Sequence, residues 1–594
     1  MRRGNPILDG RGNRRSRGAS SSWFPVTVVA YVLLFLGIDI FVYRRLEMDK
    51  TARRCKSDGG RDAPADGHDE DVTSGGGPSS LPVHLLPHVP VLPALPSRVT
   101  VADADARVGD LLAGRPTMAG VVALLQRFVS DLRGRNRRRA KAGGDGKVAL
   151  ADFYGAAAEH LAPFDEAYRG RSIFQVREDG SIFISVAAFR EHILDETLES
   201  AFSNAKNPDR IFVGAVIQNC FGKEREDGSI DTSGRPCQTG PMQVGTKANG
   251  KKITKRLDVP PDRNGIEDFC LLPGHQKYCE NGQIRVLYMH HTDGLGPSMA
   301  RYFASKLWGG ENFFMQIDSH LRFGKHWDAK YIEDVKLTRN YPRSVLSTYP
   351  PGFDPKKPFH QEGNAESSSS GVRAASGPSP TLSTVEETPG TRLCGCGIPH
   401  DGKDGVIRIN MGVNMKYRGN ESRPTQQPFL GAGYVFFHGS FLEKIPYDPY
   451  LPWTFMGEEI LLSIRAWTSG WNIYAPRRNL INHQYRPGVL GIPKFVSAVN
   501  EGFEEKKGVN NGWLQKHTIR RIKNLCGYPL HTVESIEHDE QAFVLTDREH
   551  YDLGTERSWD DFLDFAQVRV NHTSGALDCL FPRGVPWCNE GLRE

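Results

Sequence analysis

A chain of 594 residues is long enough for two to four domains, and its 75 basic against 70 acidic residues leave a formal net charge of +5. For this size that is near balance, so the sequence carries no electrostatic footprint of a nucleic-acid binder. The basic excess is local, because Arg2, Arg3, Arg11, Arg14, Arg15 and Arg17 all precede one apolar run.

That run, 23–43, holds a single charged residue, Asp39, in 21 positions. At the helical rise it reaches about 30 Å, the depth of a hydrocarbon core, and it is longer than a signal-peptide core. No small-x-small cleavage site follows, so the expectation is a signal anchor at 23–43 behind a cytosolic tail at 1–22. The sequons Asn420-Glu421-Ser422 and Asn571-His572-Thr573, with ten cysteines, favour a body in an oxidising lumen.

From Asp58 to about Pro96 the composition is Gly, Ser, Pro, Asp and Ala, too poor in apolar surface to offset chain entropy. Between Met118 and Leu132 apolar residues recur at helical spacing, as in a stem helix or a weak element of homodimerisation. The cluster Arg133 to Lys141 reads as a solvated linker. Residues 44–171 are therefore expected to be a largely disordered stem.

Globular sequence begins near Ser172. Ile182 to Arg190 reads as a strand, Glu191 to Ala205 as a helix, and Arg210 to Gln218 as a second strand. Strand, crossover helix and strand imply a parallel pair that binds a ligand at its carboxyl ends. The unit has no G-x-G-x-x-G, which argues against a dehydrogenase. A third strand, Ile284 to Met289, leads to His290 and His291, read as structural or supporting side chains. A Pro-started helix then precedes Phe313-Phe314-Met315-Gln316-Ile317-Asp318-Ser319-His320. A strand ending in Asp-x-His delivers a carboxylate and an imidazole together, as Mn2+ or Mg2+ beside a diphosphate needs.

Residues 363–389, with four consecutive serines, read as a disordered insertion. Cys394 and Cys396 are too close in sequence to pair with each other, and separate partners among Cys237, Cys270 and Cys279 are expected. In Phe429 to Gly439, small residues around Gly431 precede an apolar strand and allow a sugar or another chain to approach. Glu458 and Glu459 open a helix, where they favour its dipole or hold sugar hydroxyls beside Trp453. A later strand ends in His483, a candidate third metal ligand.

In this order the blocks resemble the GlcNAc glycosyltransferase family. They are Phe183 to Arg190, Arg210 to Gln218, His291 to Arg301, Gln316 to His320, Phe429 to Gly439, Phe455 to Glu459 with Arg465-x-Trp467-x-x-Gly470-Trp471, and His483-x-Tyr485. The family includes polypeptide α-N-acetylglucosaminyltransferases that act on hydroxyproline or threonine. More distantly, the pattern is similar to polypeptide GalNAc-transferases. The resemblance implies a GT-A fold, an α/β/α sandwich with a mostly parallel sheet, over 172–495, with 496–594 as an extension packed on it.

It also implies UDP-GlcNAc as donor, an acceptor polypeptide, and Mn2+ (or Mg2+) on Asp318, His320 and His483. Phe189, Arg190, Gln218 and Arg301 fall on the family's nucleotide-binding strands and helix, and Glu458 or Glu459 would orient the sugar or support the charged transition state. The anchor is similar to that of Golgi-resident members, so the expected placement is a single-pass type II protein of the Golgi membrane with a lumenal body. Transfer to an existing glycan and an inactive lectin-like binder are the rival readings.

Overall fold

In this computed structural model the chain divides into two compact units, Met1–Pro93 and Ala94–Glu594. The structure describes residues 101–142, 146–221, 223–224, 230–231, 237–238, 242–247, 250–353, 385, 387–397, 405–410, 422–485, 511–536 and 542–590. The expected tail, anchor and tether, Asn420 and most of the insertion 363–389 lie outside them. The expected placement as a single-pass type II protein of the Golgi membrane is corrected: among the described residues no helix is long and apolar enough to cross a membrane, and the run 23–43 that suggested it is not among them.

A second correction falls on the expected disordered stem. Val101–Leu112 (α1), Met118–Ala142 (α2) and Gly146–Ala167 (α3) are helices. Leu111, Val121, Leu125, Phe128, Phe153, Leu161 and Phe164 have no exposed surface, and they share one core with the central sheet. The arginine-rich end of α2 is no solvated linker either. Arg133 pairs with Asp293, Arg135 with Asp131 and Glu159, and Arg139 with Asp152. Composition alone reads such a segment as linker because it does not show these pairs, and Asp293 lies 160 residues from Arg133.

The central elements are Ile182–Phe189 (β1), Leu194–Asn204 (α4), Ile211–Asn219 (β2), Ile284–His290 (β3), Pro297–Lys306 (α5) and Phe313–Asp318 (β4). Leu321–Phe323 (β5), Trp327–Leu337 (α6), Ser344–Ser347 (β6), Thr425–Gln427 (β7), Tyr434–His438 (β8), Glu458–Thr468 (α7), Asn472–Ala475 (β9) and Ile481–His483 (β10) follow. Eight strands form one sheet in the order β7-β9-β6-β8-β4-β1-β2-β3. The pairs β1–β4, β1–β2, β2–β3 and β6–β9 are parallel, and β4–β8, β6–β8 and β7–β9 are antiparallel. The sheet is therefore mixed, with a parallel half.

Strand alternation sends successive side chains to opposite faces, and here both faces are covered. Phe183 and Phe314 pack with α2, α3 and α5 on one side, while Ile182, Ile184, Phe313, Met315 and Ile317 pack with α4 and α6 on the other. This is a three-layer α/β/α arrangement. From β1 the chain runs outward through β2 and β3, then returns to place β4 on the opposite side of β1. The strand order thus reverses between β1 and β4, and ligands of open α/β sheets bind at the carboxyl ends flanking such a point.

The carboxyl-terminal segment belongs to the same body. Asn511–Leu525 (α8), Trp559–Ala566 (α9) and the hairpin Val568–Asn571 (β11) and Ala576–Cys579 (β12) bury Ile522, Phe562 and Leu577 against Ile460, Leu461 and Ile464 of α7. Its return explains the disulfides, which differ from expectation. Cys394 bonds Cys588 and Cys396 bonds Cys579, whereas Cys220 pairs with Cys237 and Cys270 with Cys279. The end of the insertion is ordered as well, since Thr388–Pro389 pairs with Arg478–Asn479.

Candidate active site and metal centre

Three side chains converge at the reversal point. Asp318 closes β4, and His320 sits in the two-residue step to β5. β5 pairs antiparallel with β10, with Leu321 opposite His483, so the ladder carries His483 to the Asp-x-His turn across 165 residues of sequence from Asp318. One ligand atom from each of Asp318, His320 and His483 lies within 4.8 Å of the others. His483 Nε2 is 2.9 Å from Asp318 Oδ2, and the two imidazole rings are 4.8 Å apart between centroids.

The donor set fits a divalent cation of intermediate hardness, one carboxylate with two imidazoles. One further observation agrees: a side chain at Gly433 would bring its Cβ within 3.2 Å of Asp318 Oδ2, so glycine there leaves space beside the contact of Oδ2 with His483 Nε2.

The charges around the triad are fixed from behind. Arg301 of α5 donates to Asp318 Oδ1 at 2.9 Å and also to Glu458 Oε2. Burial alone would raise the Asp318 pKa, but the His483 hydrogen bond and the Arg301 and His320 charges outweigh it and hold the carboxyl well below its usual range. On the far side, Glu191 accepts from His320 Nδ1 at 2.7 Å. Burial opposes charge on that pair too, yet the contact leaves the His320 pKa raised and the Glu191 pKa lowered.

The expected helix start at Glu191 is displaced to Leu194 because Glu191 turns its own carboxylate onto the backbone N–H groups of His192 and Ile193. Sequence reasoning passed over it as a site residue. Its signal was an acid directly beyond Arg190, at the end of the strand that adjoins β4.

The two acids of α7 divide in role. Glu459 Oε1 accepts from Ala432 N at 2.9 Å and from the Tyr349 hydroxyl at 2.7 Å, and burial raises its pKa. It therefore shapes the 431–433 turn. Glu458 shares Arg301 with Asp318, and its Oε1 has no hydrogen-bond partner.

The remaining expected site residues are distributed as follows. Arg190 is buried, with Nε and Nη2 on Asp262 at 2.8 and 2.9 Å and Nη1 on the Gln238 carbonyl at 2.7 Å. It anchors the excursion that follows β2. Gln218 is buried at the end of β2, and the loop after β3 closes on it: a Cβ at Gly294 would lie 3.1 Å from the Phe189 ring and 3.2 Å from Gln218 Oε1. His291 borders this corner, where burial, with His290 and Arg190 nearby, pushes its pKa down to about 3.

Gly431 and Trp453 sit in packed surroundings. A Cβ at Gly431 would come within 2.5 Å of the Tyr349 ring. The Trp453 indole is 3% exposed and packs on Phe153 of α3, while its backbone N–H donates to the Leu295 carbonyl. It is a core side chain joining the helical layer to the strand-end loops.

The family described as Glycosyltransferase (GlcNAc) matches residues 181–572, and the chain belongs to this family of sugar-transferring enzymes. No curated protein matches it by sequence. Among solved structures it is similar to GalNAc-T7 with UDP, GalNAc and Mn2+, at 11% identity over 65% of this chain and 56% of that one, with a TM-score of 0.35. It is also similar to S. aureus TarS 1-349 at 12% identity, 68% and 98% coverage and a TM-score of 0.26. The complex of TarS 1-349 with UDP-GlcNAc matches at 11% identity, over 68% of this chain and 98% of that one, with a TM-score of 0.25. This chain thus spans 56% of the length of the GalNAc-T7 chain. At those scores the likenesses carry no weight for individual residues.

Proposed function

We propose that the chain is a GT-A glycosyltransferase that moves N-acetylglucosamine from UDP-GlcNAc to a hydroxyl of Thr, Ser or hydroxyproline in a polypeptide, with retention of the α linkage. The observation that carries the reading is the convergence of Asp318, His320 and His483, within 4.8 Å, at the sheet reversal of a chain whose residues 181–572 match the family. Asp318, His320 and His483 would hold Mn2+ or Mg2+. When bound, that cation supplies Lewis-acid stabilisation of the negative charge that builds on the diphosphate leaving group.

The chain's own residues do the rest. Arg301 holds Asp318 Oδ1 while Oδ2 faces His483 Nε2, and it brings Glu458 into the same group. Glu458, tied to Asp318 through Arg301, orients the sugar or supports the oxocarbenium-like state through its charge. Glu459 keeps the 431–433 turn in shape through Ala432 N and Tyr349. Phe189 and Gln218, with His291, form the corner that receives the nucleotide, a corner whose back wall Arg190 braces through Asp262.

In the transfer the bond between the sugar C1 and the diphosphate oxygen breaks, and a bond from C1 to the acceptor oxygen forms on the same face. The acceptor proton passes to the departing phosphate oxygen, so no dedicated base is required. Incubation with UDP-GlcNAc, UDP-GalNAc and UDP-glucose and a threonine-rich acceptor peptide tests this. Mass spectrometry should show GlcNAc added to the peptide, with loss of transfer in chelator. Equal use of all three donors, or transfer undiminished by chelator, would contradict it.

A further inference from the structure

The Asp-x-His turn is gripped from the head of α4 by two side chains. Thr197 Oγ1 accepts from the Leu321 backbone N–H at 3.1 Å and donates to the Ser319 carbonyl at 3.1 Å. Glu191 is more closely engaged still. Its side chain is 4% exposed, and both oxygens are occupied: Oε1 takes the His192 and Ile193 N–H groups at 2.8 and 3.2 Å, and Oε2 takes the Ser319 hydroxyl at 3.1 Å and His320 Nδ1 at 2.7 Å. His192 Nδ1 lies 3.3 Å from Oε1.

A carboxylate held this rigidly against Nδ1 selects one imidazole tautomer. The proton stays on Nδ1, and the Nε2 lone pair is the one left to coordinate. Such a partner also raises the basicity of the ligand, and its loss typically costs 10- to 100-fold in metal affinity. Burying an acid costs free energy that four donors and a histidine offset here, and the sheet topology supplies them at one place, the end of β1 beside the end of β4. We infer that Glu191 is the positioning residue of the metal centre: it fixes the tautomer and ring orientation of His320 so that Nε2 joins Asp318 and His483.

This inference rests on the proposed metal triad, and the experiment separates the two. Mn2+ is titrated into the full chain, wild type and Glu191→Gln, with the free-ion signal read by electron paramagnetic resonance, and each metal-free protein is melted. The glutamine keeps the shape and removes the charge. The expected result is one Mn2+ bound by wild type and roughly 10- to 100-fold weaker binding by Glu191→Gln, measured at a temperature where both metal-free proteins are folded. Equal Mn2+ affinity in the two proteins overturns the role of Glu191 and leaves the triad standing. Weaker binding found only at temperatures where metal-free Glu191→Gln is unfolded makes Glu191 a folding residue and overturns it equally. No Mn2+ bound by wild type overturns the triad, and this inference with it.

Discussion

Two buried arginines of this molecule each hold carboxylates, and the difference between them separates a working site from a brace. Arg521 of α8 donates Nε and Nη2 to Asp448 at 2.7 and 3.2 Å and Nη1 to the carbonyls of Val544 and Thr546 at 3.0 and 2.6 Å. Arg521 and Asp448 are 1% and 2% exposed along their side chains. Arg301 joins Asp318 and Glu458, but the Asp318 side chain is 29% exposed, and Arg301 Nε, Glu458 Oε1 and His483 Nδ1 lack hydrogen-bond partners. A brace is shut away from solvent, whereas a site leaves a carboxylate within reach of something that is not protein.

The contrast can be broken first at the brace. Arg521→Ala leaves Asp448 charged and buried, and losing one partner of such a pair costs about 3–5 kcal/mol; urea unfolding should show that loss, with KM for UDP-GlcNAc unchanged in the folded fraction. At the site the effect moves from stability to rate. Asp318→Ala should lower transfer by at least about 100-fold at a temperature where the variant is folded, since even supporting partners of metal ligands cost 10- to 100-fold. Glu458→Gln sharpens the distinction between the two acids of α7. Losing a charged hydrogen bond of about 1.5–3 kcal/mol in the transition state should lower kcat roughly tenfold or more at a temperature where the variant is folded. Tyr349→Phe is the mildest: it removes one hydrogen bond to Glu459, worth about 1 kcal/mol, and should be seen chiefly in thermal unfolding.

What could be read in advance divides along the same physical line. The β-α-β unit, the Asp-x-His strand end and His483 are local patterns, and residue type with period 2 or 3.6 suffices to find them. Their meeting is not local. It depends on the pairing of β5 with β10, which short apolar runs do not announce. Arg301, expected on the nucleotide-binding helix, lies between Asp318 and Glu458, and helix periodicity gives its face but not these partners.

The helices α1 to α3 show the converse failure. The apolar spacing of 118–132 was visible, but the arginines after it and the poor core before it suggested a stem. Asp293 and Asp152, which satisfy Arg133 and Arg139, appear only in three dimensions. The disulfides failed for that reason as well, since Cys394 and Cys396 reach partners 194 and 183 residues away.

The central claim is that Asp318, His320 and His483 together hold one divalent cation. Equilibrium dialysis of the full chain and of Asp318→Ala/His483→Ala against Mn2+, with bound metal counted per chain, tests it most directly. The account predicts one Mn2+ retained by wild type, displaced by excess Mg2+, and none retained by the double variant at the same free concentration. Equal retention by both proteins, or none by wild type, would contradict it.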